Sequence, residues 1–138
     1  MANENFSEKV SVNINSSTLS NIDILVDNGY YSNRSDFINQ ALREQLQKHQ
    51  STLDRIIDRN SKTEDKNPNR WFIGVYGLEQ SELEELRELG ILANYTGYGV
   101  MVIGDDVDEE TLFGVVESIK VKGKVICSKT VKEHYGLK

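Results

Sequence analysis

The chain has 138 residues, a net charge of −6 and an apolar share of 38%, which leaves room for one ordinary domain or two small ones with modest cores. No apolar run nears the roughly 20 residues that span a bilayer, and Met1-Ala2-Asn3-Glu4-Asn5 is polar and acidic rather than signal-like. The single cysteine, Cys127, excludes an intramolecular disulfide framework and suits a reducing cytoplasm.

Charge is uneven along the chain. Residues 1–50 hold 4 basic and 6 acidic side chains, 51–70 hold 5 and 4, and 71–138 hold 7 and 12. None of these segments has the basic footprint usual in a nucleic-acid binder. Any such contact must come from a few placed side chains and backbone amides.

In chain order, Val10, Val12 and Ile14 alternate with Lys9, Ser11 and Asn13, the period of a strand with one buried and one wet face. A first helix is expected from Ser16 or Ser17, whose hydroxyl would cap it, with Leu19, Ile22, Leu25 and Val26 on one face and Asn28-Gly29 closing it. A second helix follows Ser32 as N-cap, with Phe37, Ile38, Ala41, Leu42 and Leu46 inward. His49, Leu53, Ile56 and Ile57 continue that stripe, so the spacing predicts one long helix to about Asp58. A lone strand with two helices leaves both edges unpaired and needs a partner strand from another chain. The expected unit is a dimer built around a two-stranded ribbon.

The alternating strand, the Gly-Tyr-Tyr-Ser turn at 29–32 and Asn33-Arg34-Ser35-Asp36-Phe37-Ile38 followed by Ala41-Leu42 resemble the ribbon-helix-helix DNA-binding family of the CopG, Arc and MetJ type, over about residues 8–48. The resemblance implies that outward side chains of the paired strands read base edges in the major groove and that the second helix offers its N-terminal amides to phosphates. By position, the base contacts would be Lys9, Ser11 and Asn13, and the phosphate contacts Ser32, Asn33 and Arg34. The side-chain chemistry agrees: Lys donates to guanine, Asn bonds adenine bidentately and Ser accommodates either. A helix N-terminus favours a phosphate without a basic patch. Glu8 and Asp36 would repel phosphate unless they point away. A solvated edge strand would also place Lys9, Ser11 and Asn13 outward, and Arg34 could pair with Asp36 or Asp27 instead.

Residues 59–70 lack an apolar side chain, mix charges and contain the only proline, Pro68, which reads as a linker. From Trp71 the pattern is strand, helix, strand, strand, helix, strand. The strands are placed at Trp71–Gly77, Ile91–Thr96, Gly99–Ile103 and Gly123–Cys127. The helices are placed at Glu79–Leu89 and around Leu112, Phe113, Val116 and Ile119. Gly97-Tyr98-Gly99 reads as the turn between two strands, since it lacks the context of a dinucleotide fingerprint. The two halves repeat weakly at an offset of about 26 residues, suiting a ferredoxin-like βαββαβ module. The alternative is a short solenoid of βα repeats. The first and third strands are the most apolar and expected to be central, with Lys122 and Lys124 guarding an edge.

The fold class is thus α+β, with a dimeric ribbon-helix-helix unit at 1–58, a linker at 59–70 and an α/β oligomerisation or sensing module at 71–138. In architecture alone this is similar to the nickel-responsive regulators. A soft-metal site needs several His or Cys ligands, and His49, His134 and Cys127 are too few and too scattered, so no metal or cofactor is expected. The acidic stretches at 79–88 and 105–110 read as solvated helix starts. Neither histidine has an evident acid and nucleophile partner, so no enzyme is expected.

The expected function is a cytoplasmic, homodimeric or higher-order DNA-binding regulator. Its operator would be palindromic or repeated, repression would be its default, and an effector or protein partner would act at the C-terminal module. The alternatives are an antitoxin and an interaction protein whose N-terminal unit only dimerises.

Overall fold

The computed structural model describes residues 7–61 and 66–138. They fall into two compact units, one formed by Lys9–Ile56 and the other by Ile57–Lys138 together with Ser7 and Glu8. The expected N-terminal residues Met1–Phe6 and the linker positions 62–65 lie outside the described residues.

In the first unit, α1 spans Ser16–Asp27. Its cap is Asn15 rather than Ser16 or Ser17: the Asn15 side chain accepts the Ser17 N–H at 2.8 Å, leaving the serines inside the first turn. Gly29, at φ 83, ends the helix. Tyr30 N–H then reaches Leu25 O and Gly29 N–H reaches Val26 O, both at 3.0 Å, the paired bonds that satisfy a helix's last carbonyls. Helix α2 spans Arg34–Gln47 and α3 spans Gln50–Ser61. The single long helix is therefore corrected to two. At the break His49 N–H donates to Leu46 O, tightening the turn, and Leu53 N–H resumes helical bonding to His49 O. The apolar stripe crosses the break, with Leu53 and Ile57 half-buried. No glycine or proline marks that break, so the apolar spacing alone could not reveal it.

Residues 7–15 carry neither helix nor strand ladder in the single chain. A ladder requires a hydrogen-bonded partner strand. Among the described residues of this unit, Ile22 is the one buried side chain. Val10 is 76% and Val12 70% exposed, and Ile24, Tyr30, Leu42 and Leu46 lie open as well.

The second unit departs from the ferredoxin-like expectation. Strands β1 (Asn69–Leu78), β2 (Ala93–Ile103) and β3 (Val116–Ile126) form one parallel sheet in the order β1-β2-β3. Helices α4 (Gln80–Leu89), α5 (Glu109–Val115) and α6 (Lys129–Tyr135) follow the strands in turn. This is the βα-repeat alternative. Four changes produce it. First, Gly97-Tyr98-Gly99 is strand, not turn: it carries β2 straight through. Second, the expected second helix stops at Val115, and Val116 already has strand dihedrals of φ −114 and ψ 114. The buried Val116 and Ile119 therefore belong to β3. Third, the central strand is β2, leaving β1 at an edge. Fourth, α6 is an additional helix.

Right-handed crossovers running steadily from β1 to β3 place the connecting helices on one face of a sheet. That side holds the core: Phe72, Leu78, Tyr95, Met101, Ile103, Ile119 and Val125 from the strands pack with Leu83, Leu86, Leu112, Val115 and Val131 from the helices. The Tyr135 hydroxyl donates to Val116 O at 2.8 Å, tying α6 to the start of β3. Gly74, Gly99 and Gly123 pair across the three strands and all have positive φ, 97°, 123° and 140°. Their alignment, at offsets of 25 and 24 residues rather than the expected 26 or so, is the true register of the duplication. A side chain on Gly99 would strike the Gly74 carbonyl, and one on Gly123 the Gly99 carbonyl.

Candidate nucleic-acid interface

The six candidate DNA contacts lie at two places in the first unit. Lys9, Ser11 and Asn13 are exposed on the segment before α1. Ser32, Asn33 and Arg34 are gathered at the start of α2, where Asn33, not Ser32, is the N-cap. The Asn33 side-chain oxygen accepts the Asp36 N–H at 2.8 Å. Asp36 returns the favour to the turn before the helix, its carboxylate accepting the Ser32 N–H at 3.0 Å. This reciprocal pair satisfies two donors at the helix start. Gln40 Nε2 donates to the other Asp36 oxygen at 3.0 Å. The Ser32 N–H and then Gln40 hold the Asp36 carboxyl below its ordinary range. Tyr31 packs edge-on against Phe37, with centroids 4.9 Å apart, and fixes how the chain enters the helix.

Arg34 is engaged from an unexpected direction. Its Nε and Nη2 donate to the two oxygens of Asp23 on α1, at 2.8 and 2.9 Å. That bidentate geometry suits a planar guanidinium. Its partner is thus neither Asp27 nor Asp36. The hydrogen bond from Arg34 holds the Asp23 carboxyl below the usual carboxylate range. Both side chains remain substantially exposed, so the pair orients the guanidinium without burying it. Asp23 was not legible as a site residue, because nothing in the spacing links positions 23 and 34. Asp36 was legible as a charge but not as a cap for the preceding turn.

At this helix end the caps use the N–H groups of Ser32 and Asp36. The first-turn amides of Arg34 and Ser35 are left to meet an outside acceptor, as such positions do at helix N-termini. The arrangement is a short polar ledge with one anchored cation and one capping carboxylate. It can take an anion through backbone amides, while the Ser32 hydroxyl is turned to the Asp36 carboxylate.

The model of the Ribbon-Helix-Helix transcriptional regulator family matches residues 5–132. The chain belongs to that family. The match runs through both units, so the βα-repeat module is part of what the family model describes and not an appendage to it. No curated protein and no solved structure matches the chain. The family is one of transcriptional regulators rather than of enzymes.

Outside this interface, among the described residues no three His, Cys, Asp or Glu side chains converge as a metal site. His134 stacks on Phe113 with centroids 3.9 Å apart. Cys127 is half-buried, and that burial pushes its thiol up. Three residues of the acidic stretches have specific partners: Asp108 caps α5 by accepting from the Thr111 N–H and hydroxyl at 3.2 and 2.6 Å, and Glu109 accepts from the Ser128 hydroxyl at 2.7 Å. Glu82 accepts from the hydroxyls of Tyr76 and Tyr95. Among the described residues no helix is long and apolar enough to cross a membrane.

Proposed function

We propose that the protein is a sequence-specific DNA-binding transcriptional regulator that acts in the cytoplasm as a homodimer, its two copies pairing residues 9–14 into an antiparallel ribbon. The observation that carries this reading is the bareness of the first unit. Its described residues bury Ile22 alone while Val10 and Val12 stand 76% and 70% exposed. A second copy would pair the open backbone and cover Val10, Val12 and Ile14, together with apolar side chains of α1 and α2. Burying side chains of this size contributes about 1.5–3 kcal/mol each.

Pairing turns Lys9, Ser11 and Asn13 to the opposite face of the ribbon, because side chains alternate. A two-stranded ribbon fits the major groove, and the two-fold axis of the dimer implies a palindromic or repeated operator. Ser32, Asn33 and the first-turn amides of α2 then flank the groove and hold phosphate, with Arg34 oriented by Asp23. Repression follows from steric exclusion at the operator. The βα-repeat module would set assembly or receive an effector. Replacement of Asn13 by Ala is expected to relax base preference at one operator position by about 1–3 kcal/mol. Undiminished discrimination in a binding-site selection with that variant refutes strand reading.

A second reading has a specific observation in its favour. The Arg34 guanidinium is already paired and Asp36 sits at the helix end, both unhelpful to phosphate. On that reading the first unit only dimerises and the protein works through other partners, as an antitoxin or an interaction protein would. Absence of DNA binding by the purified dimer at low salt would favour it.

A further inference from the structure

The helix-free face of the parallel sheet is organised in columns. The register sets Trp71, Ile73 and Val75 of β1 beside Thr96, Tyr98 and Val100 of β2, and these beside Lys120, Lys122 and Lys124 of β3. Ile73 is 51%, Tyr98 50% and Val75 44% exposed. Trp71 and Tyr98 lie against each other with centroids 6.2 Å apart. Parallel sheets are ordinarily covered on both faces. Here the helices cover one; the other has two apolar columns with a lysine column along one border, and Ser7 and Glu8 lie beside Val100, Lys122 and Lys124 at one end of it.

We infer that this face packs against the same face of a second copy, about a two-fold axis parallel to the strands and lying between β1 and β2. That axis places β1 over the partner's β2 and β2 over the partner's β1, so the apolar columns meet. Both lysine columns then fall at the outer rims, where an interface is normally polar and wet. A two-fold axis across the strands would instead stack lysines over lysines. The charge pattern selects the first arrangement, which is closed and symmetric.

Size sets the condition under which this happens. With strands about 4.8 Å apart and about 3.3 Å per residue, two ten-residue columns offer roughly 320 Å² per copy. A free-standing specific interface takes about 800 Å² from each partner. The face can therefore pair only chains that are already held together, and to that extent the inference rests on the ribbon dimer proposed above. Joining through the first unit raises the effective concentration of the second into the millimolar range.

The test uses the full chain with Cys127→Ser and either Val100→Cys on the sheet face or Glu84→Cys on α4 of the helix layer. A short bismaleimide should join most of the Val100→Cys chains into covalent dimers and leave Glu84→Cys chains largely unjoined. Trp71, the only tryptophan, should be shielded from acrylamide in DNA-free wild type and become several-fold more quenchable in Val100→Lys. Specific DNA binding by a dimer that shows neither selective joining nor shielding overturns the pairing and leaves the ribbon reading standing. Selective joining in a dimer that binds no DNA supports the pairing and removes the DNA-reading role. A monomeric mass overturns both. Shielding of Trp71 that appears only when a single-stranded oligonucleotide is added assigns the lysine and aromatic columns to nucleic acid and overturns the pairing.

Discussion

Replacing Gly99 with alanine should strongly destabilise the βα-repeat unit, and the structure gives the size of the effect. Gly99 has φ 123 in the middle of β2, a region that L side chains enter at about 1–3 kcal/mol. Its new methyl would also strike the Gly74 carbonyl oxygen. That oxygen belongs to the neighbouring strand's backbone and cannot swing aside as a side chain can, and overpacking of this kind costs about 1–3 kcal/mol more. The combined destabilisation is about 2–6 kcal/mol, against a total of about 4–12 kcal/mol for a unit of roughly 80 residues. The midpoint of thermal unfolding should fall by roughly 10 °C or more. Trp71 emission during urea titration reports this unit, since Trp71 lies on β1 and is the only tryptophan. Gly114 is the internal control: it lies in α5, and a methyl there would meet nothing within 4 Å. Gly114→Ala should be neutral or stabilise by about 0.5 kcal/mol. A Gly99→Ala protein within about 0.5 kcal/mol of wild type, or one no worse than Gly114→Ala, refutes the glycine ladder.

Asp23→Asn should loosen the bidentate hold on Arg34, tighten DNA binding at low salt and steepen the salt dependence by roughly one to two units of slope. An unchanged slope in fluorescence anisotropy means that Arg34 does not face phosphate. Acid should weaken the first unit: the folded-state pKa values of Asp23 and Asp36 are lowered by their hydrogen bonds. The stabilisation these carboxylates give is complete above their unfolded values near 4 and is lost as pH falls through the folded ones. Helical circular dichroism should therefore decline below about pH 4, and a double Asp23→Asn, Asp36→Asn variant should show a flatter acid limb. An identical acid limb in the variant would contradict that assignment.

Much of the first unit was readable because its signals are local. Glycine after Asn28 and polar residues before Phe37 each act within a turn of the chain. The cap positions slipped by one or two residues because asparagine competes with its serine neighbours at both helix starts. The Arg34–Asp23 pair joins residues on different helices, and no periodicity encodes it. In the second unit β1 and α4 were legible, but the extent of β2 and β3 and their connection were not. Leu112, Val116 and Ile119 have helical spacing, and Val116 and Ile119 are both buried in β3 because the pairing skips a residue at the start of that strand, directly after α5. Gly97 looked like a turn glycine although its role is steric: the Phe72 ring lies where its side chain would be. Once those two ambiguities resolve toward strand, four strands become three and the order becomes parallel.

The most direct test of the central claim is fluorescence anisotropy of the purified protein on its own upstream DNA across a salt series, beside a variant with Lys9, Ser11 and Asn13 all replaced by alanine. Wild type should bind tightly and sequence-specifically, and the variant should keep only residual binding that no longer distinguishes that DNA from a scrambled duplex. Equal discrimination by the two proteins, or no binding by either at low salt, would contradict that claim.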